Sequence, residues 1–323
     1  MGLSQLSNKG ILGYFYARLE SFMNASWASL IAGDAPPSDQ ETESYKFTGQ
    51  VPPMSVKAGA VKLSKLNVQG LTLTNVKYQT GLRIEEDERR RDKTGQIQRR
   101  IDELAVRAGP EHWEKLLSAL IDAGTGAVGY DNEYFFDSDH SDKGAAYTTS
   151  QSNLVTSDID AIGAPSTTLG TTTVPSDIVM ALSIVGAIAK MRAFKDDQGE
   201  PTNSQMQEII AMFPATPIGA AGLLACNLDR LGSGYDNPVK GAGLKVTGVI
   251  NPRLTWTDAF ALFRKDYLGF PALIRQEEYA PRAAMLAEGS DFWFNEDAVA
   301  MKVQASRNVG YGNWRNAIRI QLV

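Results

Sequence analysis

The sequence predicts an α+β fold from the order of its secondary-structure patterns, and its composition indicates the size of the core. Helical and strand patterns follow one another irregularly along the 323 residues, without the regular strand–helix–strand alternation of a parallel sheet. The 43% hydrophobic content provides for a sizeable core in one large domain or two modest ones. The longest apolar run, Ile178 to Ala189, is far shorter than the roughly 20 residues of a membrane-spanning helix. We therefore expect no association with a membrane.

Charge and cysteine content narrow the class of protein further. A formal net charge of -5 argues against a dedicated nucleic-acid binder, which carries a basic excess. The single cysteine, Cys226, cannot close an internal disulfide, and this favours a reducing compartment. We expect a soluble protein that is made inside the cell.

Residues 8–31 show the pattern of one amphipathic helix, with large apolar side chains at three- and four-residue spacing. The polar, proline-bearing stretch GDAPPSDQETES, residues 33–44, follows and is expected to be a linker. A tethered helix with an aromatic stripe needs a surface that covers the stripe, on its own domain or on a neighbouring subunit. The candidate contact residues of this N-terminal arm are Leu12, Phe15, Leu19, Phe22 and Trp27.

From residue 45 to residue 84 the pattern changes to the short alternations of a β-ribbon. Gly70 is the expected turn, and a slip of phase after Leu73 predicts a bulge near Asn75. A long, half-polar ribbon cannot bury both faces by itself, so we expect it to lie on another surface. The candidate contact residues of this extended loop are Leu71, Leu73, Val76 and Tyr78.

The charged run RIEEDERRRD, residues 83–92, has two interpretations. It is either the solvated start of a helix or a patch of salt bridges between subunits. For the second interpretation the candidates are Glu85, Glu86, Asp87, Arg89, Arg90 and Arg91. The helix should continue to about Ala108, break at Gly109-Pro110 and resume until Gly124.

The remainder of the chain mixes helices and strands. Residues 141–175 are rich in Ser, Thr, Gly and Ala and predict a long irregular connection. Helices are expected over residues 175–194 and 219–231. Strands are expected over residues 208–213, 244–250, 259–264, 272–276, 292–294, 299–305 and 317–322.

The stretch GYDNEYFFDSDH, residues 129–140, raises the question of a metal site, because it holds four carboxylates and one of only two histidines. Its alternating aspartates resemble a calcium-binding EF-hand loop. However, Asp142 stands where that loop needs glycine, and Thr148 stands where it needs a closing glutamate. No cysteine or second histidine stands at zinc-ligand spacing from His140. We therefore expect a structural loop without a metal.

Motifs for catalysis or cofactor binding do not emerge from the sequence. GTGAVG, residues 124–129, has the spelling of a dinucleotide-binding turn, but it follows a helix, whereas that turn must follow a strand. The chain contains no G-x-S-x-G elbow, HExxH pair or Walker loop. We predict no enzyme, no cofactor and no catalytic residue. The alternative from another class is a metal-dependent hydrolase that uses the Asp131–His140 loop.

Five stretches of the chain carry a resemblance through their order: QGLTLTNVKYQTGLRIEEDE (residues 69–88), YDNEYFFDSDH (130–140), QSNL (151–154), KDDQGEP (195–201) and RNVGYGNW (307–314). In this order they resemble the major head subunits of Mu-like phages, over residues 45–320. The first stretch resembles the strand that returns from that family's extended loop into its long spine helix. The second is similar to the loop that follows the spine helix.

The resemblance implies the Hong Kong-97-type capsid fold and the function of a major capsid protein. Such a protein assembles into the hexamers and pentamers of an icosahedral phage head, in the host cytoplasm, and resides in the virion. The implied partners are identical subunits, a scaffolding protein, a portal, a decoration protein, and double-stranded DNA packaged without sequence-specific contacts. An encapsulin-like nanocompartment shell is the alternative with the same fold.

In this fold the chain would divide into five segments. They are an N-terminal arm with an amphipathic helix (1–42), an extended loop with flanking strands (43–86), a peripheral domain with the spine helix (87–148), an axial domain (149–285) and C-terminal strands that return to the peripheral domain (286–323).

Overall fold

The computed structural model describes residues 8–23, 26–54, 56, 68–92, 94–141, 147–158, 170–232, 234, 236–267 and 269–323. The helices are α1 (Asn8–Met23), α2 (Ala28–Ile31), α3 (Glu86–Arg91), α4 (Gln96–Ala108), α5 (Pro110–Asp122), α6 (Asp177–Arg192), α7 (Pro217–Asn227), α8 (Pro238–Gly241) and α9 (Asp291–Glu296). The strands are β1 (Ala32–Asp34), β2 (Thr42–Thr48), β3 (Val68–Thr74), β4 (Val76–Glu85), β5 (Leu154–Ser157), β6 (Glu208–Pro214), β7 (Lys245–Asn251), β8 (Ala259–Arg264), β9 (Leu273–Leu286), β10 (Ala298–Tyr311) and β11 (Ala317–Leu322). Within the described ranges, none of the helices has the length and apolar character needed to cross a membrane.

The strands form three sheets. A four-stranded sheet has the order β1-β9-β10-β4, and β10 runs antiparallel to both of its neighbours. A five-stranded sheet has the order β5-β11-β8-β6-β7 and contains parallel and antiparallel pairs. Strands β2 and β3 form a separate antiparallel pair. The mixture of helices and sheets without a repeated strand–helix–strand order confirms the predicted α+β class.

Helices α4 and α5 are two parts of one predicted helix, and they break at Gly109, as the sequence indicated. Gly109 has φ -97° and ψ -105°, and Pro110 begins α5. Because Pro110 has no N–H, the helical hydrogen bonds cannot continue through it. The carbonyl oxygen of Ala108 instead accepts a 2.9 Å hydrogen bond from Nη2 of Arg307 in β10. The break is thereby tied to the four-stranded sheet.

The side chain of Arg307 is fully buried beside this break. Its guanidinium lies 4.7 Å from the centroid of the Trp113 ring, and its Nε lies 3.7 Å from a carboxylate oxygen of Glu277. Burial lowers the pKa of Arg307 to about 10, and burial also raises the pKa of Glu277. Loss of either partner would leave the other charge in a poorly solvated place.

Helix α1 packs on its own chain. Ile11 and Phe15 are buried together with Ile101 of α4. On the same interface Arg18 makes a 2.8 Å salt bridge with Asp102 of α4. Of the two alternatives for the N-terminal arm, packing on its own domain is the one that the structure shows for this face of α1.

The N-terminal segment differs from its prediction in two ways. The single helix predicted over residues 8–31 is two helices, α1 and α2. The start of the predicted linker is strand β1, which pairs in parallel with β9, and Asp34 makes a 2.7 Å salt bridge with Arg275. A strand whose partner lies more than 200 residues away leaves no local pattern in the sequence.

The β2–β3 pair also corrects a prediction. Gly70 lies in the middle of β3, opposite Lys46, so the turn expected there is wrong. The slip of phase near Asn75 is real, and it marks the passage of the chain from the two-stranded sheet into the four-stranded sheet. Asn75 is buried there, and its N–H donates to the carbonyl oxygen of Glu41 at 2.7 Å. The alternation predicted around residues 61–63 lies outside the described residues.

Helices α6 and α7 cover the five-stranded sheet, whose strands β6 and β8 are buried along nearly all of their length. Helix α6 begins after Ser176, whose Oγ accepts a hydrogen bond from the N–H of Val179 at 3.3 Å. The prediction of an irregular connection over residues 141–175 missed strand β5.

The C-terminal third differs from the expected segment boundaries. Strand β9 lies in the four-stranded sheet with β4 and β10, so the expected axial segment, 149–285, takes in a strand of the other sheet. Strand β11 lies in the five-stranded sheet, so the expected C-terminal segment, 286–323, also divides between the two sheets. Residues 292–294, predicted as a strand, lie in α9, because Ser290 caps a helix there by accepting a hydrogen bond from Trp293 N–H.

Candidate functional site

The loop of residues 129–140 connects α5 to the five-stranded sheet. Its main chain is closed by a 2.7 Å hydrogen bond from the N–H of Gly129 to the carbonyl oxygen of Glu133. Asn132 takes a φ of 67°, in the left-handed region that asparagine occupies more readily than most residues. The loop is therefore a compact turn with a defined conformation.

Two aromatic side chains anchor this loop in the core. Phe135 and Phe136 are each 1% exposed. The Phe135 ring stacks on Tyr311 with a centroid distance of 4.5 Å, and Phe136 packs so tightly on Gly124 that a Cβ there would lie 2.5 Å from its ring. Tyr134, the third aromatic of the stretch, is 46% exposed. Phe135 and Phe136 therefore anchor the loop.

A buried polar junction lies beneath the loop. Nδ1 of His140 is 2.7 Å from Oδ2 of Asp131, and Nε2 of His140 is 3.1 Å from Oδ1 of Asn153. The imidazole stacks on the Trp314 ring at a centroid distance of 4.1 Å and an angle of 7°. All four side chains are buried. Both ring nitrogens of His140 are engaged by groups of the protein itself.

The remaining carboxylates of the loop form a second cluster, which is more exposed than the junction. Oxygens of Glu133, Asp137 and Asp139 lie within 4.8 Å of one another. Asp137 accepts hydrogen bonds from the N–H groups of Tyr134 and Ser138. Its pKa is lowered: burial opposes this shift, but the N–H of Ser138 and the Asp139 side chain outweigh it. The acidic residues of the hydrolase alternative are therefore divided between a buried pair and a surface cluster.

The other two residues considered as metal ligands are also placed elsewhere. His112 lies on α5 with its ring 4.4 Å from the centroid of Tyr78, and burial, followed by the charges of Arg307 and Lys115, lowers its pKa to about 4. Cys226 is buried in α7, and burial raises the pKa of its thiol to about 12. A neutral, buried thiol is a poor nucleophile and a poor metal ligand.

The five candidate contact residues of the N-terminal arm fall into two groups. Phe15 and Leu19 are buried against α4 and the four-stranded sheet, so they are core residues of this chain and not free contacts. Leu12, Phe22 and Trp27 are half-buried, and each keeps part of its side chain accessible. Only the second group remains a prediction for contacts between subunits.

The candidates on the extended loop divide in the same way. Leu73 is 8% exposed and packs against Gly310 of β10, where a Cβ would lie 2.5 Å from it. Leu71 and Tyr78 are half-buried, and Val76 is 45% exposed. At Leu73 the surface on which the ribbon lies is β10 of its own chain, so Leu73 is a core residue and not a free contact.

Ion pairs within the chain occupy the charged run. They join Arg83 to Glu85 at 3.9 Å, Arg89 to Glu86 at 3.5 Å, Arg90 to Asp87 at 2.8 Å and Arg91 to Asp87 at 3.1 Å. Most of these side chains are well exposed, and an exposed pair contributes between zero and about 1 kcal/mol. Their role between subunits remains a prediction.

The sequence analysis missed one apolar surface. Residues 49–54 and 56, which we call the β2 extension, carry Val51, Met54 and Val56 at 77%, 103% and 92% exposure. Close to this segment, Phe47 is buried and stacks on Tyr130 at 4.5 Å. The signal in the sequence was the apolar and proline-rich stretch VPPM, which interrupts the alternation of the ribbon. Large apolar side chains with such exposure mark this segment as a candidate contact surface.

A comparison with protein families gives a match for about the first half of the chain. Residues 14–166 match the model of the family described as Mu-like prophage major head subunit gpT. The Mu-like prophage FluMu major head subunit of Haemophilus influenzae is 30% identical over 103 residues, which are 32% of this chain and 33% of that protein. The match thus spans about a third of that relative. The resemblance stated from the sequence motifs is confirmed for this part of the chain.

Solved capsid structures resemble the whole fold. The procapsid of bacteriophage JBD30 matches with a TM-score of 0.51 and 18% identity, over 96% of this chain and 73% of that chain. The mature capsid of bacteriophage PhiM1 matches with a TM-score of 0.54 and 10% identity, over 92% of this chain and 87% of that chain. At these identities the likeness establishes the fold, which is the predicted phage capsid fold.

Proposed function

We propose that this chain is the major capsid protein of a Mu-like tailed phage or prophage. It assembles with identical copies into the hexamers and pentamers of an icosahedral shell that encloses double-stranded DNA, and it resides in the virion. The observation that carries the proposal is the agreement between the family matched by residues 14–166 and the capsid fold of nearly the whole chain. In this role the protein assembles and catalyses no reaction.

The two larger sheets supply the two domains of this proposal. The four-stranded sheet with α1, α4 and α5 is the peripheral domain, and the five-stranded sheet with α6, α7 and α8 is the axial domain. The broken helix α4–α5 is the spine helix. Strands β2 and β3 with the β2 extension are the extended loop.

The β2 extension is the surface on which the proposal can be tested most directly. Covering an apolar side chain contributes on the order of 1.5 to 3 kcal/mol, and in a closed shell of identical subunits each contact repeats around every ring. Removal of the whole ribbon would also remove Leu73, which lies in the core of the chain. Substitution of the exposed residues alone separates assembly from folding.

The experiment compares wild-type protein with the double variant Met54→Glu, Val56→Glu by sedimentation velocity and negative-stain microscopy. We expect closed particles from wild-type protein, and folded, unassembled protein from the variant. The control is Val174→Glu, which adds a charge at a different exposed valine; Val174 is 55% exposed. It should assemble as wild type. Circular dichroism should show the same fold for all three proteins.

Two outcomes would contradict different parts of the proposal. Normal closed particles from the double variant would show that the β2 extension is not an assembly contact. Wild-type protein that forms no particles, alone or with its co-expressed head proteins, would contradict the capsid function itself.

The partners beyond identical subunits rest on the same proposal. A scaffolding protein, a portal and a decoration protein are expected in the host cytoplasm where the shell assembles, and DNA is expected inside without sequence-specific contacts. Nuclease-protected DNA in particles from induced cells supports the phage head, whereas an enclosed cargo protein without DNA would support the nanocompartment alternative. The hydrolase alternative has little support, because Asp131 and His140 are buried and bonded to each other.

A further inference from the structure

The orientation of the Asn153 side chain determines what its neighbours must do. Its Oδ1 accepts a hydrogen bond from the main-chain N–H of Asp137 at 2.9 Å. Its Nδ2 donates to the carbonyl oxygens of Phe135 at 2.8 Å and Trp314 at 3.3 Å. A rotated amide would place its NH2 group against an N–H and its oxygen against two carbonyl oxygens. Because main-chain groups cannot exchange donor and acceptor roles, this orientation is the only satisfied one.

The fixed oxygen of Asn153 then defines the state of one nitrogen of His140. Nε2 of His140 lies 3.1 Å from Oδ1 of Asn153, and this oxygen can only accept. An unprotonated Nε2 would place two lone pairs against each other in a buried site. Nε2 of His140 therefore carries a proton.

The other nitrogen meets a carboxylate. Nδ1 of His140 lies 2.7 Å from Oδ2 of Asp131, a length typical of a charge-assisted hydrogen bond. We propose that His140 is a doubly protonated imidazolium, paired with the Asp131 carboxylate. Its two N–H groups donate to Asp131 and Asn153 and hold the 129–140 loop beside Asn153 and Trp314. The junction is thus a proton-dependent contact between the loop after the spine helix and the chain around the five-stranded sheet.

The surroundings of the ring suit a cation. The flat face of the imidazolium stacks on the Trp314 ring at 4.1 Å, and an aromatic face attracts positive charge. Asp137 and Asp139, on the same loop, add negative charge near the ring. A positive charge that disfavours the imidazolium comes from Arg315, whose guanidinium lies 4.4 Å from the centroid of the Trp314 ring.

Loss of the proton would disrupt the junction whichever nitrogen lost it. Without the proton on Nδ1, a lone pair faces the carboxylate of Asp131. Without the proton on Nε2, a lone pair faces Oδ1 of Asn153, and in both cases Asp131 is left as a buried charge without a counter-charge. Both ring protons are therefore needed to keep the loop joined to Asn153 and the Asp131 carboxylate.

Only two histidines in the chain make the test direct. Full-length protein labelled with ¹⁵N-histidine is measured by magic-angle-spinning NMR about one pH unit above the ordinary imidazole pKa of about 6.5. We expect one ring with two protonated nitrogens, from His140, and one neutral ring. The neutral ring is the internal control, because burial holds the pKa of His112 at about 4.

Variants assign the signals and test the pairing. His112→Asn should remove the neutral ring and leave the imidazolium. Asp131→Asn keeps the shape of the partner but removes its charge, so the imidazolium signal should be lost or reduced several-fold. Two neutral rings in wild-type protein would overturn the proposal without any variant. An imidazolium that disappears with His112→Asn, or persists unchanged with Asp131→Asn, would overturn it as well.

Discussion

Replacement of Phe135 by alanine tests whether the 129–140 loop is held by its aromatic anchors. The Phe135 ring is 1% exposed, stacks on Tyr311 at 4.5 Å and meets Phe136 edge-on at 4.9 Å. Truncation of such a buried ring costs about 3 to 5 kcal/mol, which includes about 0.5 to 1.5 kcal/mol for the lost ring pair. An unfolding entropy of about 2.1 cal/mol/K per residue gives about 0.7 kcal/mol/K for this chain. The thermal midpoint should therefore fall by about 4 to 7 °C.

The assay is scanning calorimetry of the unassembled full-length chain, with Tyr134→Ala as the matched control. Tyr134 is the preceding aromatic, but it is 46% exposed, so its truncation should change the stability by no more than about 0.5 kcal/mol. Phe135→Leu, which keeps much of the buried volume, should lie between the two. Equal shifts for Phe135→Ala and Tyr134→Ala would refute the assignment of the loop's stability to its buried face.

Three further predictions follow from single positions. Burial holds the pKa of His112 at about 4, so between about pH 6.5 and 4 the unfolded chain binds a proton that the folded chain does not. Urea unfolding should therefore show that the free energy of unfolding decreases as the pH is lowered from about 6.5 to about 4. The decrease should be smaller for His112→Asn. Arg307→Met should cost about 2 to 3 kcal/mol in the same assay. This lies just below the roughly 3 to 5 kcal/mol of a fully buried broken pair, because the carboxylate partner of Arg307 is partly exposed. Gly222→Ala places a Cβ 2.5 Å from the Phe213 ring and should destabilise the protein by about 1 to 3 kcal/mol. Gly186 lies in α6 with open space around it, so Gly186→Ala should stabilise the protein by up to about 1 kcal/mol. Thermal midpoints that move in the same direction for both variants would contradict this prediction.

Elements whose signals are local were predicted well from the sequence. The break at Gly109-Pro110 follows from the chemistry of two adjacent residues, and α5 and α6 follow from apolar spacing within one helix. Strands β6, β8 and β11 are continuous apolar or alternating runs, and they lie within a residue or two of their predicted bounds. Each of these patterns is complete within about twenty residues of sequence.

Elements whose cause is a distant partner were not predicted. Strand β1 exists because it pairs with β9, and β9 extends to Leu286 because it pairs with β10 along most of its length. The aromatic pattern of residues 292–294 is compatible with a strand, and the Ser290 cap decides for a helix. Local propensity is a weak guide wherever pairing or a single capping bond decides the outcome.

The candidate site shows the same limit. The sequence indicated that the 129–140 loop is structural, but it could not show that Asp131 and His140 are partners, because their spacing does not reveal that the two side chains meet in a buried site. Their contact with Asn153 and Trp314 joins positions up to 183 residues apart in the chain. The exposed β2 extension was missed for the opposite reason, because apolar residues in a sequence are expected to be buried.

The order of the short motifs now has a physical explanation. The stretches YDNEYFFDSDH, QSNL and RNVGYGNW are weak signals when each is considered alone, yet they supply His140, Asn153 and Trp314 to one junction. RNVGYGNW also supplies Arg307 to the break between α4 and α5 and Tyr311 to the stack on Phe135. A substitution in one of these stretches leaves buried polar or aromatic groups of the others without partners, and such a loss costs more than the net gain from the contact. The three stretches are therefore one structural unit, and this unit holds the loop that follows α5 against both sheets.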